Sequence, residues 1–246
     1  AAVAAWQNVA GGEAEMLLWG QQAAAVGDWA TARRRYELAV RLDAANGDAW
    51  YELAWAAAQL GATDAFDLYG QALAASQHTR YGRSNILTRR GELARNAAAP
   101  DWAAALAEFD AALDEDAFVA GGDAADRVQA QLGRAEALDK LGQPAAALEA
   151  YRRALVDAPG HYWANVHSGR LTWAVEGDAA RAAAYLQEAI ALDPQNKWAY
   201  LFLSDVYAES GQPELAIPLL NRVLATAPRD EAAQKRLDRL TGGDGP

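Results

Sequence analysis

Alanine and large apolar residues recur along this chain at helical spacing and return in register about every 34 residues. In the segments 27–44, 142–159, 177–194 and 211–228, an alanine is followed four positions later by Tyr or Leu, and three positions after that by Ala or Val. These spacings place the residues on one face of a helix, and no alternation typical of strands persists. Pro159, Pro194 and Pro228 close three of the segments at intervals of 35 and 34 residues. The fixed period predicts stacked units that cannot bury their apolar faces alone.

Turn residues divide each unit into two predicted helices. The first helices end at a set of glycines, Gly27, Gly61, Gly142, Gly177 and Gly211. Glycine adopts the left-handed conformation that often ends a helix at little cost. The second helices begin with capping or first-turn residues, namely Asp28, Asp178, Pro144 and Pro213. Each unit is therefore predicted to be a helical hairpin.

The complete pattern resembles the tetratricopeptide repeat, in which a small residue on the first helix faces Ala, an aromatic and Ala on the second. The second-helix signature occurs six times, as Ala32/Tyr36/Ala39, Ala65/Tyr69/Ala72, Ala105/Phe109/Ala112, Ala147/Tyr151/Ala154, Ala182/Leu186/Ala189 and Ala216/Leu220/Val223. The small first-helix residues are Gly20, Ala54, Gly91, Ala135, Gly169 and Ser204. The resemblance implies an all-α fold, a right-handed α-α superhelix (solenoid) of six helix pairs with a C-terminal capping helix.

The predicted organisation is one continuous array. The six repeats are expected at about 13–46, 47–79, 83–117, 127–160, 161–195 and 197–229. A partial helix at Ala2–Ala10, within residues 1–12, is expected to cover or precede the first pair. Residues 230–246 are expected to form a capping helix (Asp230–Leu240) and a tail, because terminal repeats need such covers. The link 113–127 is predicted to form a surface excursion, and extra residues around Asn96–Pro100 to make the third pair irregular.

Composition excludes several classes of protein. Cysteine is absent, which rules out disulfides, thiol catalysis and zinc–thiolate sites. No apolar run approaches the ~20 residues of a membrane span. A net charge of −11 argues against nucleic acid as a general partner. The chain starts without Met or a charged signal region, so we expect that upstream sequence has been removed. Cytoplasmic and extracytoplasmic locations both remain open.

No catalytic or cofactor motif stands out. His161 and His167 are six residues apart, so one helix face cannot present both to a metal. Phosphate-binding glycine loops, nucleophile elbows and zincin motifs are absent from the sequence. We therefore expect no catalytic residue, no metal and no cofactor.

Aromatic residues recur on the predicted inner face instead. In the resembled family the first helices line a concave groove, and projecting each unit accordingly places several aromatic and polar residues there. The candidate partner-binding residues are Tyr51, Trp55, Arg89, Trp163, His167, Arg170, Trp173, Trp198, Phe202 and Asp205. Aromatic side chains supply wide contact area at low entropic cost, to peptides and to sugar rings alike. The alternative for any one tryptophan is packing between neighbouring helices.

A basic island interrupts the acidic first half of the chain. Its members are Arg80, Arg83, Arg89, Arg90 and Arg95, with Glu92 as the local counter-charge. Such a run usually forms ion pairs on a solvated face, which here requires acids from other repeats. The alternative is an anion site in which Arg89 grips a carboxylate or phosphate.

These features favour a non-enzymatic interaction scaffold that binds a peptide or protein partner in an aromatic-rich groove. Carbohydrate is the alternative ligand, and self-association through the groove or the end repeats is open. A second hypothesis is a tetratricopeptide segment of a larger bacterial envelope or membrane protein that handles polysaccharide or transfers sugars. A third is a repeat domain fused to an enzymatic domain. Fold alone supports scaffold function only by analogy.

Overall fold

The computed structural model describes residues 12–76, 79–114 and 124–242, which form thirteen α-helices and no strand. In chain order the helices are α1 Gly12–Ala25, α2 Trp29–Leu42, α3 Gly47–Gln59, α4 Ala65–Ala74, α5 Arg83–Asn96, α6 Trp102–Ala112, α7 Ala124–Lys140, α8 Pro144–Asp157, α9 Tyr162–Glu176, α10 Ala179–Leu192, α11 Lys197–Glu209, α12 Pro213–Thr226 and α13 Glu231–Thr241. Their order along the chain is that of the six predicted pairs followed by the C-terminal helix. The predicted helix at Ala2–Ala10, most of the predicted excursion at 113–127 and the end of the tail lie outside the described residues.

The chain divides into two compact units, residues 1–137 and 138–246, where the sequence predicts one continuous array. In the first unit each helix from α1 to α6 packs on its neighbours in the chain, and in the second unit α8 to α13 do the same. The first helices of successive pairs also meet in the second unit, since α9 contacts α11 and α11 contacts α13. Compactness in a repeat protein is local because each helix packs mainly on its neighbours.

The helix ends follow the turn chemistry predicted from the sequence. The five predicted glycines all have positive φ, between 64° and 81°. Asp28 and Asp178 cap α2 and α10 by accepting hydrogen bonds from the amides of Thr31 and Arg181 at 3.0 and 2.9 Å. In the third pair α5 ends at Asn96 without such a glycine, and α6 starts only after Asp101. The predicted irregularity around Asn96–Pro100 falls in this connection, which lacks the positive-φ glycine found at the other predicted turns.

The core of each unit is built from the predicted small and aromatic positions. Tyr36 is fully buried, and a methyl group added at Gly20 would lie 2.4 Å from its ring. Gly169 stands in the same relation to Leu186, at 2.5 Å. These distances confirm that small first-helix residues let the second-helix side chains pack against the backbone. Packing of this kind fixes the rotation of each first helix, and with it the residues that face outward.

One close contact was not predicted. Gly133 on α7 lies against Phe109, and a Cβ there would be 2.3 Å from the ring. Gly91 approaches the same ring from α5, at 2.7 Å. The sequence pattern selected Ala135 as the small residue of α7, and Ala135 is fully buried as well. Phe109 therefore needs glycine on two first helices, whereas the repeat pattern assigns it a single small neighbour.

Candidate ligand-binding face

Two tryptophans occupy equivalent positions on neighbouring first helices of the second unit. Trp163 and Trp198 are the second residues of α9 and α11, and each precedes a fully buried alanine, Ala164 or Ala199. The buried alanines turn the same side of both helices inward, so the indoles fall on the same outward side. Their exposed fractions are 42% and 41%. This leaves two large ring surfaces open to solvent on adjacent helices.

Further rings continue this surface along each helix. His167 and Phe202 lie one turn after the tryptophans. Their rings are inclined by 30° and 27° to those of Trp163 and Trp198, at centroid distances of 5.9 and 6.1 Å. Trp173 lies six residues beyond His167, which turns it about 120° around α9, and it packs half-buried against the core beside Leu186 and Val206. It therefore lies off the surface that the other rings share. We call Trp163, His167, Trp198 and Phe202 the aromatic face. Binding of a ligand at these residues remains a prediction.

His167 contributes an uncharged ring to the aromatic face. It stacks on Tyr151 at a centroid distance of 5.1 Å on the side that leads to α8. Burial lowers the pKa of His167 to about 4, and the nearby cations of Arg170 and Lys140 add to the shift. Its Nδ1 atom is buried and has no hydrogen-bond partner among the described residues. The imidazole is therefore neutral near pH 7.

The polar residues predicted at the edge of this face are held in ion pairs. Arg170 on α9 pairs with Asp139 at the end of α7, with an N–O distance of 2.5 Å. Asp205 on α11 accepts two hydrogen bonds from Arg236 on α13, both at 2.8 Å. Bidentate pairing of this kind fixes both side chains. A ligand would meet ring surfaces here, because these charges are already matched.

The three predicted residues of the first unit have different surroundings. Tyr51 is only 6% exposed, since its ring stacks on Tyr81 at 3.6 Å, and its hydroxyl donates to Asn85 Oδ1 at 2.7 Å. Trp55 is 39% exposed and meets the Trp29 ring edge-on. Tyr51 offers little surface to a partner, whereas Trp55 keeps an open ring. The third residue, in α5, belongs to the arginine island.

The arginine island carries its own counter-charges. Four of its five members pair with carboxylates, as Arg80–Glu52 at 3.0 Å, Arg89–Glu92 at 2.9 Å, Arg90–Glu108 at 3.1 Å and Arg95–Glu136 at 3.1 Å. The fifth, Arg83, donates to the Ser76 hydroxyl at 3.2 Å. Acids from other helices supply most of these partners, as the ion-pair interpretation requires. An anion that bound Arg89 would have to compete with Glu92.

Glu52 is a polar centre that the sequence did not single out. It is buried, and it accepts hydrogen bonds from Tyr81 at 2.7 Å, Arg80 at 3.0 Å and Gln21 at 3.3 Å. Its neighbour Asp48 accepts from the Thr79 hydroxyl at 2.6 Å. The hydrogen bonds to Glu52 and Asp48 hold residues 79–81 against α3. A buried carboxylate with this many donors is a structural anchor.

A cavity of about 750 Å³ lies elsewhere in the first unit, between the α3–α4 turn and the α5–α6 connection. Alanines form most of its wall, and Phe66 and Leu93 are its largest apolar residues. The carboxylate that lines the cavity belongs to Asp101, which already caps α6 by accepting a hydrogen bond from the Ala104 amide at 2.9 Å.

Within residues 12–76, 79–114 and 124–242, no cluster of His, Asp or Glu is arranged to hold a metal ion. None of the helices described in these ranges combines the length and the apolar character needed to cross a membrane.

Sequence profiles of the tetratricopeptide repeat match residues 17–78, 97–162 and 176–240. The chain belongs to the tetratricopeptide repeat family. The matches cover most of the chain and include α11, whereas α9 lies almost entirely between two matched segments. Tetratricopeptide repeats form protein-interaction modules that are generally non-enzymatic, so the chain carries an interaction scaffold. No curated protein matches the chain.

Solved structures of other tetratricopeptide proteins share this fold. The pilF protein of Pseudomonas aeruginosa is 16% identical, with a TM-score of 0.69 over 91% of this chain and 95% of its own. PilW, a widely conserved type IV pilus biogenesis factor, is 20% identical, with a TM-score of 0.65 over 92% and 98%. The Cut9–Hcn1 hetero-tetramer of the APC/C gives 18% identity and a TM-score of 0.61, over 92% of this chain and 42% of the other. At these identities the likeness concerns the fold, and it confirms the predicted α-α solenoid class.

Proposed function

We propose that this chain is a non-enzymatic scaffold that binds a peptide segment of a protein partner on the aromatic face. The observation that carries the proposal is the pair of indoles, Trp163 and Trp198, exposed at equivalent positions on helices in contact. Clustered aromatic surface of this kind is typical of interaction sites. The interaction role of the tetratricopeptide repeat supplies the biological context.

The chemistry of the face suits a peptide. Trp and Tyr anchors usually provide most of the binding energy of an interface, and surrounding residues exclude water. The rings offer such anchors, while Arg170 and Asp205 are engaged with partners of their own. Sugar rings also stack on aromatic side chains, which makes a carbohydrate the alternative occupant. The hypotheses of an envelope-protein segment and of a lost enzymatic domain gain no support from the described residues.

A paired peptide and glycan array tests the proposal with the chain 1–246. Binders found with the unaltered chain are measured again with Trp198→Ala, which we expect to weaken a peptide at least roughly tenfold, because truncating an aromatic anchor costs about 2 kcal/mol or more. Trp19→Ala is the matched control, since Trp19 is similarly exposed, at 36%, but lies on α1 of the first unit. Circular dichroism of each variant checks that its helices are retained.

The outcome separates the alternatives. Peptides whose binding depends on Trp198 and not on Trp19 support the proposal, whereas glycans with the same dependence favour the carbohydrate reading. Equal effects of both substitutions would show that the aromatic face is not the site. Arg89→Ala should change affinity only for a long or anionic partner, because that side chain lies in the first unit and is paired with Glu92.

A further inference from the structure

The spacing of the exposed indoles limits which peptide conformation can use both. Trp163 and Trp198 are equivalent residues of α9 and α11, whose Cα atoms approach within 8 Å of each other. Axes of packed helices lie about 8–10 Å apart. Equivalent backbone positions on the two helices, such as the Cα atoms of Trp163 and Trp198, are therefore expected at a similar separation. A peptide that crosses the pair needs same-side residues at that interval.

Regular peptide conformations differ in this interval. Polyproline II has three residues per turn and rises about 3.1 Å per residue, so residues i and i+3 share a side at about 9 Å. In an extended strand the nearest same-side residues are about 6.6 Å apart. An α-helix reaches about 10.5 Å only between i and i+7. Spacing alone thus favours polyproline II over a strand and leaves the helix as a competitor.

Hydrogen-bonding capacity separates polyproline II from the helix. Neither the Trp163 nor the Trp198 indole N–H donates to an acceptor within the described part of the chain, whereas the Trp173 N–H donates to Glu209 Oε2 at 2.6 Å. Carbonyls of a polyproline II segment have no internal partner and can accept these bonds. Carbonyls inside an α-helix are already used. The two indole N–H groups therefore suit a peptide whose backbone carbonyls have no hydrogen-bond partner of their own, as in polyproline II.

The charged side chains beside the indoles are paired within the chain, so these groups do not call for a charged ligand. Lys197, which lies 5.3 Å from the centre of the Trp198 ring, pairs with Asp230. Arg170 and Asp205 have partners of their own, and His167 is neutral near pH 7 because of its low pKa. Each of these charged residues thus has a counter-charge, and the Glu209 carboxylate is engaged by the Trp173 N–H.

From these observations we infer that the aromatic face takes an uncharged, proline-rich segment in the polyproline II conformation, with residues i and i+3 on Trp163 and Trp198. The inference rests on the proposed function and names the class of partner. Such segments lose little conformational entropy on binding because they are largely pre-formed. Their contact with tryptophan combines ring stacking with a hydrogen bond from the indole N–H to a peptide carbonyl.

The test uses fluorescein-labelled decaproline as the probe in fluorescence polarisation with the chain 1–246. A Gly/Ser peptide of equal length and an amphipathic helical peptide with Leu at i, i+3, i+4 and i+7 are the comparison probes. We expect saturable binding of decaproline that changes little with salt, and at least roughly tenfold weakening by Trp163→Ala or Trp198→Ala but not by Trp19→Ala. Trp163→Phe and Trp198→Phe keep a ring and remove the donor, and should weaken binding about two- to tenfold.

Each result has a defined meaning. If the helical peptide binds with dependence on Trp198 while decaproline does not, the polyproline inference is wrong and the proposed function stands. If peptides bind but no tryptophan substitution on the aromatic face matters, both are wrong. Unchanged affinity in the Phe variants would remove the role of the indole N–H, and strong salt dependence would contradict an uncharged segment.

Discussion

The close approach of Gly20 to Tyr36 predicts that replacement of glycine by alanine has different effects on stability at Gly20 and at Gly70. In Gly20→Ala the new Cβ would lie 2.4, 2.6 and 2.9 Å from three atoms of the Tyr36 ring. The ring is fully buried and cannot swing into solvent, so α1 must shift or the ring must leave its packed position. Overpacking of this kind costs about 1–3 kcal/mol. In Gly70→Ala, on α4 of the same unit, no atom lies within 4 Å of the new Cβ.

The matched pair isolates the packing cost. Both positions lie within helices, where replacing Gly by Ala favours the helix by about 0.5–1 kcal/mol. Since that gain is common to both variants, their difference in unfolding free energy should equal the packing cost, about 1–3 kcal/mol. With a urea slope of about 1–3 kcal/mol/M, the unfolding midpoints should differ by roughly 1 M. Gly70→Ala should exceed the unaltered chain, and Gly20→Ala should fall below Gly70→Ala.

Far-ultraviolet circular dichroism in urea measures these midpoints. Repeat arrays need not unfold in one step, so hydrogen exchange of the α1 and α2 amides provides a local measure of the same loss. Equal midpoints for the two variants, or a higher midpoint for Gly20→Ala, would refute the close contact between α1 and the Tyr36 ring. They would also undermine the register from which the outward-facing residues were assigned.

Three further predictions concern packing and pH. Ala154→Leu and Ala189→Leu should each lower stability by about 1–3 kcal/mol in thermal unfolding, because both alanines are fully buried; an unchanged midpoint for both would contradict their placement. Hydrogen bonds from Lys197 and a backbone amide lower the pKa of Asp230 below its usual 3.8, so its contribution is full above about pH 4 and is lost as the pH falls through the lowered pKa. Asp230→Asn should therefore flatten the loss of stability in that acid range, and an identical acid profile would count against the pair. Ligand affinity should stay constant between about pH 6 and 8, because the pKa of His167 lies near 4, and a transition in this range would show that another group titrates.

The turns and the core positions of single units could be predicted from the sequence. The contacts that connecting segments make with helices could not. The turn glycines and the buried second-helix positions follow from spacing within single units, as for Gly27 and Tyr36. Tyr51 was expected on an open face, and it is covered because the α4–α5 connection delivers Tyr81 onto its ring. The repeat pattern does not specify which helix a connecting segment packs against.

The ion pair at Asp205 illustrates a signal that the sequence did contain. Asp205 and Arg236 are 31 residues apart, and the same interval separates Asp139 from Arg170. In both cases the acid lies on one first helix and the base lies 31 residues later, on α9 or on α13. This interval is three residues shorter than the repeat of about 34 residues. Asp205 was placed at the edge of the groove by projecting the first helices, and its pairing with Arg236 was not predicted. A search for opposite charges at this interval would have joined them.

The ion pair between Asp139 and Arg170 makes the helix pairs of the second unit non-interchangeable. Asp205 follows Arg170 by 35 residues, the interval that also separates Trp163 from Trp198, so α11 carries an acid where α9 carries a base. Excision of residues 162–196 would join the array in register and bring α11 against the end of α7. Asp139 would then face Asp205, and two carboxylates would repel each other where an ion pair had been. Removal of this helix pair would therefore replace an attraction between neighbouring first helices with a repulsion.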